Sequence, residues 1–141
     1  MNLAVVILAA GRGERMGSPL PKVLHGIFDK PMLQCVIDSA EKLRPLRIIA
    51  VVGKHFKEIK KSIKPGNILF AVQKKPNGTG DALLRAKTLL KDFRGTILVL
   101  NGDVPLVTSE TLKKFLSLHR TGRNHISLIS FAAANPASYG R

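Results

Sequence analysis

Between Leu8 and Gly26 the chain reads LAAGRGERMGSPLPKVLHG, an apolar run that breaks into glycines and cations. Gly11 and Gly13 allow the backbone to approach a ligand with no Cβ in the way, so amide N–H groups can face the oxygens of an anion. Arg12, Arg15 and Lys22 add positive charge at the mouth of such a nest. The chemistry these residue types suit is the holding of phosphate groups, and an ordinary basic surface loop is the alternative. The spacing excludes two familiar cradles. No Gly-Lys-Ser/Thr follows the glycines, and Met16 stands where the last glycine of G-x-G-x-x-G belongs. Two other stretches carry polar groups in loops, QKKPNGTGD from Gln73 to Asp81 and NGD from Asn101 to Asp103. Taken alone, Gln73 reads as a strand-end amide, Asp81 as an acid favoured at a helix start, and Asp103 as an Asx-turn residue.

The elements around these loops alternate. LAVVILAA (3–10), RIIAVVG (47–53), ILFAVQ (68–73), TILVLN (96–101) and ISLISFA (126–132) are continuous apolar runs of strand length. Between them lie helical patterns at 31–43, with Pro31 in the first turn, at about 54–62, after residue 80, and from about Ser109. Strands that are apolar throughout and alternate with helices predict a three-layer, doubly wound α/β domain with a mainly parallel sheet. Ligands of such sheets sit at the carboxyl ends of the strands, and all three suggestive loops follow a strand's carboxyl end.

The bulk composition narrows the function classes. At 141 residues the chain suffices for one domain with a core. The longest apolar run is too short to span a bilayer and lacks the basic start of a secretory signal, so the expected location is cytoplasmic. A single cysteine, Cys35, can form no internal disulfide or metal cluster and falls on the apolar face of a helix. Lys and Arg number 23 against 9 Asp and Glu, a net charge of +14, which attracts polyanions. Most of the excess lies along helical segments such as KHFKEIKKSIK (54–64), as solvated faces do. Six Phe, one Tyr and no Trp supply few stacking platforms, which argues against single-stranded nucleic acid. Neither a nucleic acid nor a membrane is an expected partner.

The string L-A-A-G-x-G-x-R-M followed by P-K-x-L resembles the signature of sugar-phosphate nucleotidyltransferases. With LPKVLHG (20–26), AVQKKPNGTGDAL (71–83), LVLNGDVPLVTSETL (98–112) and NPASYGR (135–141) in order, it is similar to the N-acetylglucosamine-1-phosphate uridylyltransferase branch, the amino-terminal domain of a bifunctional bacterial enzyme. The resemblance implies a Rossmann-like nucleotide-diphospho-sugar transferase fold. It implies uridylyl transfer from UTP to N-acetylglucosamine 1-phosphate, giving the cell-wall precursor UDP-N-acetylglucosamine and pyrophosphate, with Mg²⁺ as cofactor. Leu8, Ala9, Ala10, Gly11 and Gly13 would line the nucleotide site, and Arg15 and Lys22 would bind the triphosphate and act in catalysis. Gln73 would read the uracil edge with its paired donor and acceptor. Gly78 and Thr79 would close over the base, Asn101 and Gly102 would flank the sugar nucleotide, Asp103 would bind the metal, and Gly140 would meet the sugar.

The same resemblance implies that residues 1–141 hold the nucleotide-binding portion of the domain, with the fold incomplete at its carboxyl end. Further sugar-binding residues, a second magnesium ligand and a left-handed β-helix acetyltransferase domain would lie beyond Arg141. An unpaired sheet edge and self-association are then expected. Another small-molecule nucleotidyltransferase, such as a cytidylyltransferase or a molybdenum-cofactor guanylyltransferase, would share the opening loop and differ at PKVLH and QKKPNGTG. A nucleotide-binding module without catalysis is the alternative from another class.

Overall fold

The structure, a computed structural model, describes residues 2–11, 13 and 17–134. The chain divides into two compact units, one ending at Ser109 and one starting at Glu110.

The first unit is built on strands β1 (Leu3–Ala9), β4 (Arg47–Val52), β5 (Ile68–Val72) and β6 (Thr96–Asn101), with a small hairpin of β2 (Gly26–Ile27) and β3 (Lys30–Pro31). The four long strands form one parallel sheet in the order β5-β4-β1-β6. The chain therefore runs outward from β1 to β5, then crosses back to place β6 on the other side of β1. That reversal makes the space beyond the carboxyl ends of β1 and β6 the switch point of a doubly wound sheet. The register sets these ends level, with Leu8 opposite Asn101 and Ala9 opposite Val52.

Helix α1 (Met32–Glu41) packs on β1 and buries Leu33, Val36, Ile37 and Ala40. Pro31 precedes its first turn rather than lying in it. Helix α2 (Phe56–Ser62) is shorter than its basic pattern suggests. Helix α3 (Thr79–Arg85) tightens into a 3-10 helix at Ala86–Leu90. Its Ala82 and Ala86 pack with Val6, Ile49, Val51 and Ala71. The alternation of a strand puts Val6 and Ala9 of β1 on opposite faces. Ala9 and Leu33 both border Gly102, so α1 covers the face of β1 that α3 leaves.

Burial follows position in the sheet. In β1 and β4 nearly every residue is buried, as expected for central strands covered on both faces. In β6 Leu98 and Leu100 are buried while Ile97 and Val99 are exposed, and Leu69 and Val72 of β5 are exposed too. Among the described residues no strand pairs with the outer edges of β5 and β6.

Helix α4 runs Ser109–Thr121, and all of it after Ser109 belongs to the second unit. The strand expected at 126–132 does not form. The segment enters no ladder, Ile126 is 87% and Leu128 78% exposed, and Ser127 Oγ is hydrogen-bonded to His119 Nδ1 of the helix at 2.9 Å. An apolar run becomes a strand only where a neighbour offers backbone partners, and none of the described strands does so here.

Candidate functional site: a cleft at the strand ends

The loops after β1, β5 and β6 meet around one cleft of about 880 Å³ within the first unit. Its lining brings together Leu8, Ala9, Ala10, Gly11, Gly13, Lys22, Gln73, Gly78, Thr79, Asn101 and Asp103, eleven of the residues expected from sequence. Val23, Pro76 and Ala82 also line it, and their apolar character gave no signal in the sequence. Gly102 lies outside this lining. It is buried, its N–H bonds the Leu8 carbonyl at 2.9 Å, and a Cβ there would sit 3.1 Å from that same oxygen. Its smallness serves the close approach of β6 to β1. Arg15 and Gly140 lie outside the described residues.

The phosphate-suited wall is built by the opening loop. Gly13 adopts φ +63°, and a Cβ on it would stand 2.7 Å from Lys22 Cβ. Glycine is thus required twice over, by backbone conformation and by space. Lys22 opens a 3-10 turn (Lys22–Leu24) anchored by buried Val23 and Leu24. Its Nζ donates to Asp103 Oδ2 at 2.6 Å, joining the first loop to the end of β6. The two side chains are 38% and 36% exposed. An ion pair so open to water is worth about 0–1 kcal/mol, so either partner can exchange it for a better one.

The opposite wall is tighter. Gln73 follows β5, is 5% exposed, and extends the sheet through its N–H to Val52 O at 2.8 Å. Its Nε2 donates to the Gly78 carbonyl at 3.1 Å and to Asp81 Oδ2 at 2.8 Å. Gly78 reaches back because it holds φ +95° at the cap of α3. Asp81, expected only to support a helix start, accepts from Gln73 on one oxygen and from Arg85 on the other. These bonds, that of Arg85 first and that of Gln73 second, hold its carboxyl below the ordinary value.

A metal would find one hard ligand here. Among the described residues no group of three or more His, Cys, Asp or Glu side chains is gathered. Asp103 at the cleft rim fits Mg²⁺, which commonly takes one or two carboxylates and fills its octahedron with water and phosphate oxygens.

The family model of the MobA-like NTP transferase domain matches residues 5–139. The chain belongs to this family. As an NTP transferase domain it is a nucleotidyltransferase by family, and the curated proteins agree. It is 42% identical over 139 residues to the bifunctional protein GlmU of Nostoc sp., covering 99% of this chain and 31% of that protein. Against the bifunctional protein GlmU of Lactobacillus johnsonii it is 43% identical over 141 residues, covering 100% of this chain and 30% of that one. The chain thus spans about a third of the length of the curated relatives it matches. Solved structures share the fold at lower identity. UDP-glucose pyrophosphorylase from Acinetobacter baumanii superposes with a TM-score of 0.69 at 21% identity, over 87% of this chain and 54% of that one. A manganese complex of Rv0371C from Mycobacterium tuberculosis H37Rv gives 0.67 at 19%, over 86% and 61%. Membership of the NTP transferase family agrees with the three-layer sheet and with the cleft at its switch point.

Proposed function

We propose that the cleft binds UTP and that the chain serves uridylyl transfer to N-acetylglucosamine 1-phosphate, with UDP-N-acetylglucosamine and pyrophosphate as products. The observation that carries this reading is the assembly, in one cleft, of a glycine-lined cationic wall and a buried, hydrogen-bonded amide. The likeness to the GlmU proteins supports the choice of sugar.

In the reaction a phosphate oxygen of the sugar phosphate attacks the α-phosphorus of UTP. The new O–P bond forms as the bond to the β-phosphate bridging oxygen breaks, and pyrophosphate carries the electron pair away. No covalent enzyme intermediate is needed, so the protein's part is positioning and charge stabilisation. Lys22 moves from Asp103 to the phosphates and stabilises charge gathering on their oxygens. Arg15 takes a share of the triphosphate. Asp103 holds Mg²⁺, which would neutralise phosphate charge when bound. Gln73 meets the uracil edge, Gly78 and Thr79 cover the base, and Asn101 lies by the sugar nucleotide. The exposed outer edges of β5 and β6 would draw copies of the chain together, and a concentration-independent monomer in sedimentation velocity would remove that part of the reading.

Calorimetric titration of the chain with Mg²⁺–UTP, with CTP, GTP and ATP as comparators, tests the core claim. Saturable binding that prefers UTP is expected. Equal binding of all four, or none, would overturn it. Because the chain spans about a third of its relatives, pyrophosphate release is the separate test of catalysis. Binding without release would identify a nucleotide-binding module.

A further inference from the structure

The base wall contains a charged pair that the proposed reaction does not use. Asp81 and Arg85 stand one turn apart on α3, joined by an ion pair, and Asp81 turns its second oxygen to Gln73. The side chain of Asp81 is 19% exposed and that of Arg85 is 49% exposed. We propose that Asp81, itself held by Arg85, is a positioning residue that fixes the Gln73 amide in one orientation and so sets which base edge the cleft accepts. This rests on the nucleotide reading above.

The argument is one of hydrogen-bond arithmetic. A glutamine amide has two donor hydrogens and one acceptor oxygen. Both partners of the Gln73 nitrogen, the Gly78 carbonyl and the Asp81 carboxylate, are acceptors, so the amide can stand only with Nε2 towards them. Both hydrogens are then committed, and Oε1 is the polar function left for a ligand. No side-chain oxygen or nitrogen among the described residues is both buried and without a partner, so Oε1 is not sealed in the interior, and Gln73 lines the cleft. An acceptor-only wall selects a base whose ring nitrogen carries hydrogen. Uracil offers an imide N–H at that edge. Cytosine offers a lone pair there, which would face the lone pairs of Oε1 unless the base shifted. Unlocked, the amide could turn over and serve either base, because it would present a donor as readily as an acceptor. Selectivity therefore resides less in Gln73 than in what stops it turning.

Asparagine at position 81 separates this role from packing. In Asp81→Asn the single remaining oxygen is claimed by the Arg85 guanidinium, which can only donate, and the new NH₂ is turned to Gln73. Two donors then face each other while the Gly78 carbonyl still accepts, so the Gln73 amide no longer has one orientation that satisfies both neighbours. Removing Arg85 as well frees the asparagine oxygen to accept from Gln73 and restores the original orientation. The expected result is a reversal by the second change of the harm done by the first.

The experiment titrates Mg²⁺–UTP and Mg²⁺–CTP into the wild-type chain, Asp81→Asn, and Asp81→Asn with Arg85→Ala. The wild type should prefer UTP, the single variant should lose about tenfold of that preference while still binding UTP, and the double variant should regain most of it. An unchanged UTP:CTP ratio in Asp81→Asn overturns the proposal and leaves the nucleotide reading standing. A wild type that binds both nucleotides equally overturns the proposal and, with it, the UTP preference of the reading above. A wild type that binds neither overturns both. A nucleotide-free measurement covers the case of a variant that fails to fold. Exchange of the Gln73 side-chain amide hydrogens in the wild type should be slowed at least several-fold relative to the free amide. Exchange at the free rate would show that the amide is not held, and would end the proposal.

Discussion

The two walls of the cleft are made of different materials, and the proposed nucleotide reading gives them different tasks. The wall towards the opening loop relies on a left-handed glycine and a long, half-exposed lysine whose ion pair is open to solvent. The wall towards α3 relies on a buried amide fixed by two hydrogen bonds, backed by a second charged pair. Phosphates are the same in every nucleotide, so an adaptable cation suffices to hold them. Bases differ by the placement of single hydrogens, so the group that reads them must not move. Affinity is expected to come from the first wall and choice from the second.

The largest effect should come from Lys22, the sole cation among the described residues lining the cleft. Lys22→Ala should weaken Mg²⁺–UTP and Mg²⁺–CTP binding alike by about 10- to 100-fold, the range expected for hydrogen bonds to a charged group. The salt dependence of binding should become shallower, since a screened contact has been lost. Calorimetry at two ionic strengths measures both. A loss confined to one base would break the division between the walls.

Gly13→Ala should come next. The substitution places a Cβ against Lys22 Cβ and forces a left-handed conformation on alanine, which costs about 1–2 kcal/mol. Relief by shifting the loop would pull Lys22 from its place, so nucleotide affinity should fall up to about tenfold with the UTP:CTP ratio intact. A changed ratio would mean that the opening loop also reads the base.

These differences also decided what could be read from the sequence. The four sheet strands were legible because buried parallel strands are unbroken apolar runs, and the cleft loops because they follow such runs. The run at 126–132 looks the same, but apolarity does not say whether a partner strand will be present. The β2–β3 hairpin has only two residues in each strand and turns through Phe28 at φ 53°, a non-glycine in the left-handed region, so neither periodicity nor turn chemistry announces it. The phosphate wall was visible as composition, glycines with cations. The base wall was visible as Gln73, Gly78 and Thr79, with Asp81 legible only as an acid at a helix start. Asp81, which fixes Gln73, is eight positions away and arrives through a turn whose geometry depends on the φ of Gly78. A clamp of that kind is a property of coordinates rather than of residue types.

The smallest effect is one of pH, and it belongs to the base wall alone. The Asp81 carboxyl is held below its ordinary value of 3.8 by the bonds from Arg85 and then Gln73. In the window between the folded and unfolded values the folded chain binds fewer protons than the unfolded chain, so stability rises with pH there. The contribution of Asp81 is fully present above the unfolded value and is lost as pH falls through the lower folded value. Between pH 8 and 5, therefore, the amide clamp should be indifferent to pH, and a base preference measured anywhere in that range should be the same. Other carboxylates titrate at low pH too, so the clean observable is a difference. The thermal stability of the wild type should exceed that of Asp81→Asn by a constant margin down to about pH 5, and the margin should shrink below about pH 4 as Asp81 takes up its proton. A margin that already closes between pH 7 and 5 would mean that Asp81 is not the group holding Gln73. The base wall would then owe its rigidity to the Gly78 carbonyl alone.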